Sequence, residues 1–131
     1  MKTLIVEDDF TSRLLLQGLL QSYGPCHVAV NGNEAVQAAR TAIAGKAPYN
    51  LICIDIMMPE MDGQTALKEI RALESEAGIL SSDGSKIIMT TALDDKKNVM
   101  SAFREQCDAY LVKPIDRDTL VENLRTLRLI L

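Results

Sequence analysis

The sequence predicts a doubly wound α/β protein: a parallel sheet of five strands with helices packed on both faces. Three observations predict it. Short apolar runs alternate with longer amphipathic stretches along the whole chain. Strand-like and helix-like segments follow one another five times, the pattern of repeated strand–helix units. The run Leu51-Ile52-Cys53-Ile54 is apolar at every position, as in a strand covered on both sides. Right-handed crossovers then restrict the topologies available.

Leu4-Ile5-Val6 is the first strand and ends in the acids Glu7-Asp8-Asp9. Leu14, Leu15, Leu16, Leu19 and Leu20 recur at helical spacing, with Asp9 or Thr11 as the expected cap and Gly24-Pro25 as the stop. Cys26 to Val30 alternates weakly and meets Asn31-Gly32, read as a turn. Glu34 to Ala44 is an alanine-rich helix carrying Val36 and Ile43. The third strand, Tyr49 to Asp55, leads through a loop spanning Pro59 to Gly63 into a helix marked by Ala66, Leu67, Ile70 and Leu73. Ser75 to Ser85, rich in Gly and Ser, reads as an exposed irregular insertion. Lys86 to Thr91 is the fourth strand, followed by a helix around residues 95 to 105. Ala109 to Val112 is the fifth strand, and Leu120, Leu124, Leu127 and Leu131 stripe the last helix.

With 131 residues, 47% hydrophobic and 24% charged, one domain over residues 1–131 is expected. No apolar run reaches the roughly 18 residues of a membrane span, and acids interrupt the N-terminal run where a leader would continue. A cytoplasmic location is therefore expected. Cys26, Cys53 and Cys107 have no spacing that suggests zinc or a disulfide framework. The net charge of -4 and the absence of Trp argue against direct nucleic-acid binding and point to protein partners.

In a parallel sheet, ligands gather at the carboxyl ends of the strands, near the point where strand order reverses. Here those ends carry Glu7-Asp8-Asp9, Asp55, Thr90-Thr91 and Lys113-Pro114. Carboxylates packed together repel by about 4 kcal/mol per pair at roughly 4 Å and an effective dielectric near 20. A hard divalent cation resolves that conflict. Mg2+ suits a few carboxylates with water and a phosphate oxygen, whereas zinc prefers nitrogen and sulfur donors.

Taken with Asp55-Ile56-Met57-Met58-Pro59-Glu60-Met61-Asp62-Gly63, Thr90-Thr91-Ala92 and Tyr110-Leu111-Val112-Lys113-Pro114, the sequence resembles the CheY-like receiver domains of response regulators. The resemblance covers essentially the whole chain and implies the strand order 2-1-3-4-5. It implies that Asp55 accepts a phosphoryl group from a phosphohistidine on a sensor histidine kinase or a histidine phosphotransfer protein. Asp8, Asp55 and the Met57 carbonyl would bind Mg2+ directly and Glu7 through water. Thr91 and Lys113 would hold phosphoryl oxygens. Thr91 and Tyr110 would form the switch, changing the surface of the fourth helix, fifth strand and fifth helix for a downstream protein. Pro59, Gly63 and Pro114 would shape the turns, the last through a cis peptide. A monomer or a weak dimer through that surface is expected.

Each residue alone has a plainer reading. An isolated Asp55 would usually be a cap or loop acid, Lys113 a solvated charge, Tyr110 a half-buried strand aromatic, Met57 and Met61 packing, and His27 structural. Flavodoxin-type nucleotide binding is disfavoured because acids replace the phosphate-cradling loop after the first strand. A phosphatase with an aspartate nucleophile would carry a second acid at Met57. A receiver that signals without phosphorylation sits badly with the full residue set. Met57 and Leu93 cannot align an attacking water, so an ester on Asp55 is expected to be long-lived. The ending Arg128-Leu129-Ile130-Leu131 reads as an interface or the stump of a linker, in a free-standing receiver or a piece of a larger protein.

Overall fold

The computed structural model describes residues 1–58, 61–92, 100 and 106–131. Five parallel strands form one sheet: β1 (Thr3–Val6), β2 (Cys26–Ala29), β3 (Leu51–Asp55), β4 (Lys86–Thr91) and β5 (Ala109–Val112). Their order is β2-β1-β3-β4-β5, the 2-1-3-4-5 arrangement expected. Four helices lie among the described residues: α1 (Phe10–Leu20), α2 (Gly32–Ala44), α3 (Gly63–Glu76) and α4 (Arg117–Thr126). The helix expected around 95 to 105 falls outside the described residues apart from Met100.

Alternation along the strands sorts the core into two layers. Leu4, Val6, Ile52, Ile54, Ile87 and Met89 face α2 and α3, meeting Val36, Ala39, Leu67 and Ile70. Ile5, Leu51, Cys53, Ile88 and Leu111 face α1 and α4, meeting Leu16, Leu20, Leu120 and Leu124. Every residue of β3 is buried, as its unbroken apolar run requires. Burial pushes the Cys53 thiol up to about 12, helped by Cys26, so it remains an inert core group.

Each described helix starts on an Asx side chain that accepts a backbone N–H two or three residues inside. Asp9 takes Ser12, Asn31 takes Glu34, Asp62 takes Thr65 and Asp116 takes Thr119, at 2.8–2.9 Å. Asn31-Gly32 is thus the start of α2 and not a separate turn. These bonds hold the Asp9 and Asp116 carboxyls below the usual carboxylate range.

Three expectations need correction. The insertion after α3 begins later than Ser75, because α3 runs to Glu76, and its end at Ser85 is buried, not exposed. The reason is Glu74, whose carboxylate accepts the Ser85 amide at 2.7 Å. Leu131 is off the C-terminal stripe: α4 ends at Thr126, and Leu129 and Ile130 fold back against the second core layer. Both are partly buried there. In the leucine run of α1, Leu16 and Leu20 are buried but Leu14 and Leu15 are exposed, because one helix face cannot hide five neighbours.

Thr3 lies fully buried in β1, and its hydroxyl has no hydrogen-bond partner among the described residues. A buried unpaired hydroxyl costs more than the methyl that could replace it. Thr3→Val is expected to stabilise the chain by about 1 kcal/mol, raising the urea midpoint at constant m-value. A lowered midpoint would show that the hydroxyl is doing something valine cannot.

Candidate functional site: an acid pocket at the carboxyl edge of the sheet

Strand order reverses around β1 and β3, and there the ends of β1, β3, β4 and β5 bring the chemistry together. Register fixes the placement. Asp55 of β3 pairs with Thr90, and Thr91 pairs with Val112, one residue before Lys113. The Ile56 amide donates to the Thr90 carbonyl at 2.9 Å and the Lys113 amide to the Thr91 carbonyl at 2.6 Å, so both strand exits are anchored to β4. Gly63 closes the loop after β3: its amide donates to Ile56 O at 2.9 Å, and a Cβ there would collide with the Asp55 carbonyl. Only glycine permits that approach. Pro59 lies outside the described residues. The Lys113–Pro114 peptide is cis, as the resemblance implies.

At the centre stands Lys113, with Nζ 2.5 Å from Glu7 Oε1 and 3.4 Å from Asp55 Oδ2. Glu7 is fully buried and Asp55 nearly so, while Asp8 is exposed. One oxygen from each of Glu7, Asp8 and Asp55 lies within 4.8 Å of the others. Burial pushes the Glu7 carboxyl up, a hydrogen bond with Asp55 adds to this, and Lys113 pulls the other way without prevailing. Burial also works against the Lys113 ammonium, but Glu7 and Asp55 outweigh it and hold its pKa above the ordinary value. Three carboxylates face one ammonium here, and all offered side-chain donors are oxygen. Those residues fit a hard divalent cation such as Mg2+ better than a softer metal.

Thr91 is buried at the end of β4, and Tyr110 is half-exposed on the edge strand β5, opposite Met89. Met57 points its side chain to solvent at 68% exposure, while its amide donates to Asp55 Oδ1 at 3.3 Å. Leu93 lies outside the described residues. His27 is structural as expected, its Nδ1 2.7 Å from the Tyr49 hydroxyl. One contact at the site is not legible in the sequence: the Arg13 guanidinium donates to the Glu7 carbonyl at 3.1 Å. A spacing of six residues across a strand end and a helix start carries no periodic signal.

A 2-1-3-4-5 parallel sheet with acids and an ammonium gathered at its switch point defines a CheY-like α/β module suited to holding a cation beside an anion. Residues 3–125 match the response regulator receiver domain family, and the chain belongs to it. It is a receiver domain of two-component signalling, a module with a phosphoacceptor role. The chemotaxis protein CheY of Bacillus subtilis is 33% identical over 126 residues, covering 92% of each chain. The transcriptional regulatory protein ZraR of Salmonella typhimurium is 33% identical over 122 residues, and the chain spans a quarter (25%) of its length. The receiver domain of the histidine kinase CKI1 from Arabidopsis thaliana, solved in complex with Mg2+ and BeF3-, superposes with a TM-score of 0.84. Its identity is 26%, covering 98% of this chain and 90% of that one. No helix among the described residues is long and apolar enough to cross a membrane.

Proposed function

We propose that Asp55 is the phosphoacceptor of this receiver and that Glu7, Asp8, Asp55 and the Met57 carbonyl hold Mg2+ beside it. The observation that carries this reading is the nearly buried Asp55 carboxylate, 3.4 Å from the Lys113 ammonium and grouped with Glu7 and Asp8. An Asp55 oxygen attacks the phosphorus of a phosphohistidine on a kinase or phosphotransfer protein. The P–O bond forms as the P–N bond breaks, and the imidazole leaves with its electron pair and takes up a proton. Phosphoryl transfer asks mainly for positioning and charge stabilisation. Lys113 neutralises charge on the phosphoryl oxygens, and Thr91 holds another of them. Bound Mg2+ would supply the remaining positive charge between the carboxylates and the incoming anion.

The acid pocket catalyses only its own phosphoryl transfer and dephosphorylation, so the chain acts as a switch and not as an enzyme acting on other substrates. Thr91 and Tyr110 carry the signal to the edge of the sheet. There β5, α4 and the helix expected around 95 to 105 offer a surface for a downstream protein or a second copy. Residues 1–131 form one receiver unit in this reading.

Incubation with acetyl phosphate and Mg2+, followed by intact mass measurement, tests it. Wild type is expected to gain one phosphoryl group, and Asp55→Asn none. An adduct of equal yield on Asp55→Asn would move the acceptor elsewhere. The same sample, followed after the donor is removed, reads the lifetime; loss within seconds would contradict the persistence expected from Met57.

A further inference from the structure

We propose that Arg13, seated on the ring of Phe10, is a positioning residue that aims Asp8 at the cation. This rests on the reading that Glu7, Asp8 and Asp55 hold Mg2+. Arg13, the fourth residue of α1, reaches back over the helix start, where its Nη1 donates to the Glu7 carbonyl at 3.1 Å. That carbonyl belongs to the peptide joining Glu7 to Asp8. The Glu7 amide, on the other side, donates to Ala29 O of the neighbouring strand at 3.0 Å. Glu7 is therefore gripped at both of its peptide groups, and the orientation of the second decides where the Asp8 side chain points.

Asp8 depends on this more than its neighbours do. Its carboxylate is exposed and makes no hydrogen bond or ion pair among the described residues, whereas Glu7 and Asp55 are both held by Lys113. Phe10 completes the device. It is an exposed aromatic at 63%, which burial does not explain, and the Arg13 guanidinium lies over it at 5.5 Å from the ring centroid. A cation on an aromatic face loses rotational freedom without losing its hydrogen-bond donors. Arg13 does not touch the cation; it acts through the backbone, as groups behind metal ligands commonly do.

The sign of the effect separates positioning from simple charge. A cation near the pocket repels Mg2+, so removing Arg13 for its charge alone would tighten binding. Removing it as a positioning residue would weaken binding, by about tenfold for a group behind a ligand. The experiment is calorimetric titration of the full chain with Mg2+ alone, for wild type, Arg13→Gln, Arg13→Lys and Phe10→Leu. Urea unfolding in chelator is run beside it to confirm that each variant is folded. Arg13→Gln is expected to bind about tenfold more weakly, Arg13→Lys to recover part of the loss, and Phe10→Leu to fall between them and wild type. Equal or tighter binding by Arg13→Gln overturns the proposal, as does a lowered urea midpoint with unchanged Mg2+ affinity, which would mark a purely structural arginine. Failure of wild type to bind Mg2+ rejects the cation-site reading itself, and the role of Arg13 with it.

Discussion

Replacing Lys113 with methionine is expected to slow phosphorylation of Asp55 by about 10²–10³-fold, the cost of losing one donor aimed at a transferring anion. Methionine keeps most of the stem and removes the ammonium. The measurement is the initial rate of adduct formation from acetyl phosphate at saturating Mg2+, read by intact mass; a rate within about twofold of wild type would remove Lys113 from the reaction. A second signature follows from the 2.5 Å contact with Glu7. The Glu7 carboxyl already titrates above its usual 4.5, so its contribution favours folding most below that value and is lost as pH rises through the raised one. Lys113 is the neighbour that restrains this rise. Without it, the loss of stability should extend to higher pH, and urea midpoints of Lys113→Met in chelator should fall more between about pH 5 and about pH 8 than those of wild type. Parallel midpoint curves would show that the ammonium does not govern Glu7.

The features that were legible in the sequence share one property: each is decided within a strand or at its end. Leu51 to Ile54 announces a doubly buried strand because every residue of it must avoid water. Glu7, Asp8, Asp55, Thr91 and Lys113 could be placed on one edge because strands in a parallel sheet all end on the same side. The features that were not legible depend on residues distant in sequence. Ser85 looks like linker until Glu74 is found beside it, and nothing local says that Leu129 and Ile130 will turn back on the core. Leu14 and Leu15 fail for the opposite reason. They fit helical spacing as well as Leu16 does, and only the position of the sheet decides which leucines are hidden.

The largest of these hidden contributions sits at the opposite, amino-terminal edge of the sheet. Arg71→Ala is expected to cost about 3 kcal/mol, the low end of the penalty for removing one partner of a buried ion pair, because this pair is only partly buried. Arg71 projects from α3 and donates to Glu74 Oε1 at 2.8 Å, to Ser85 O at 2.8 Å and to Asp108 Oδ2 at 3.0 Å. Its remaining donors reach Gln106 O at 2.8 and 3.0 Å. Asp108 in turn accepts the Ile87 amide at 2.7 Å, and Glu74 accepts that of Ser85. One guanidinium thus joins α3 to the segments entering β4 and β5. Glu74 is 5% exposed, so its carboxylate would lose its main charged partner inside the fold if the arginine were removed. A penalty of this size is a large share of the roughly 5–15 kcal/mol that holds a domain together, and a fall in Tm of roughly 10–20 °C should accompany it. The double replacement Arg71→Met with Glu74→Leu should recover part of the loss, because it removes both charges and leaves neither stranded. Thermal and urea unfolding of the single and double variants measure this. Since the pair lies far from Asp55, the folded fraction of Arg71→Ala should still take a phosphoryl group at the wild-type rate. An unchanged urea midpoint for Arg71→Ala would show that the network, however well bonded, adds nothing net to stability.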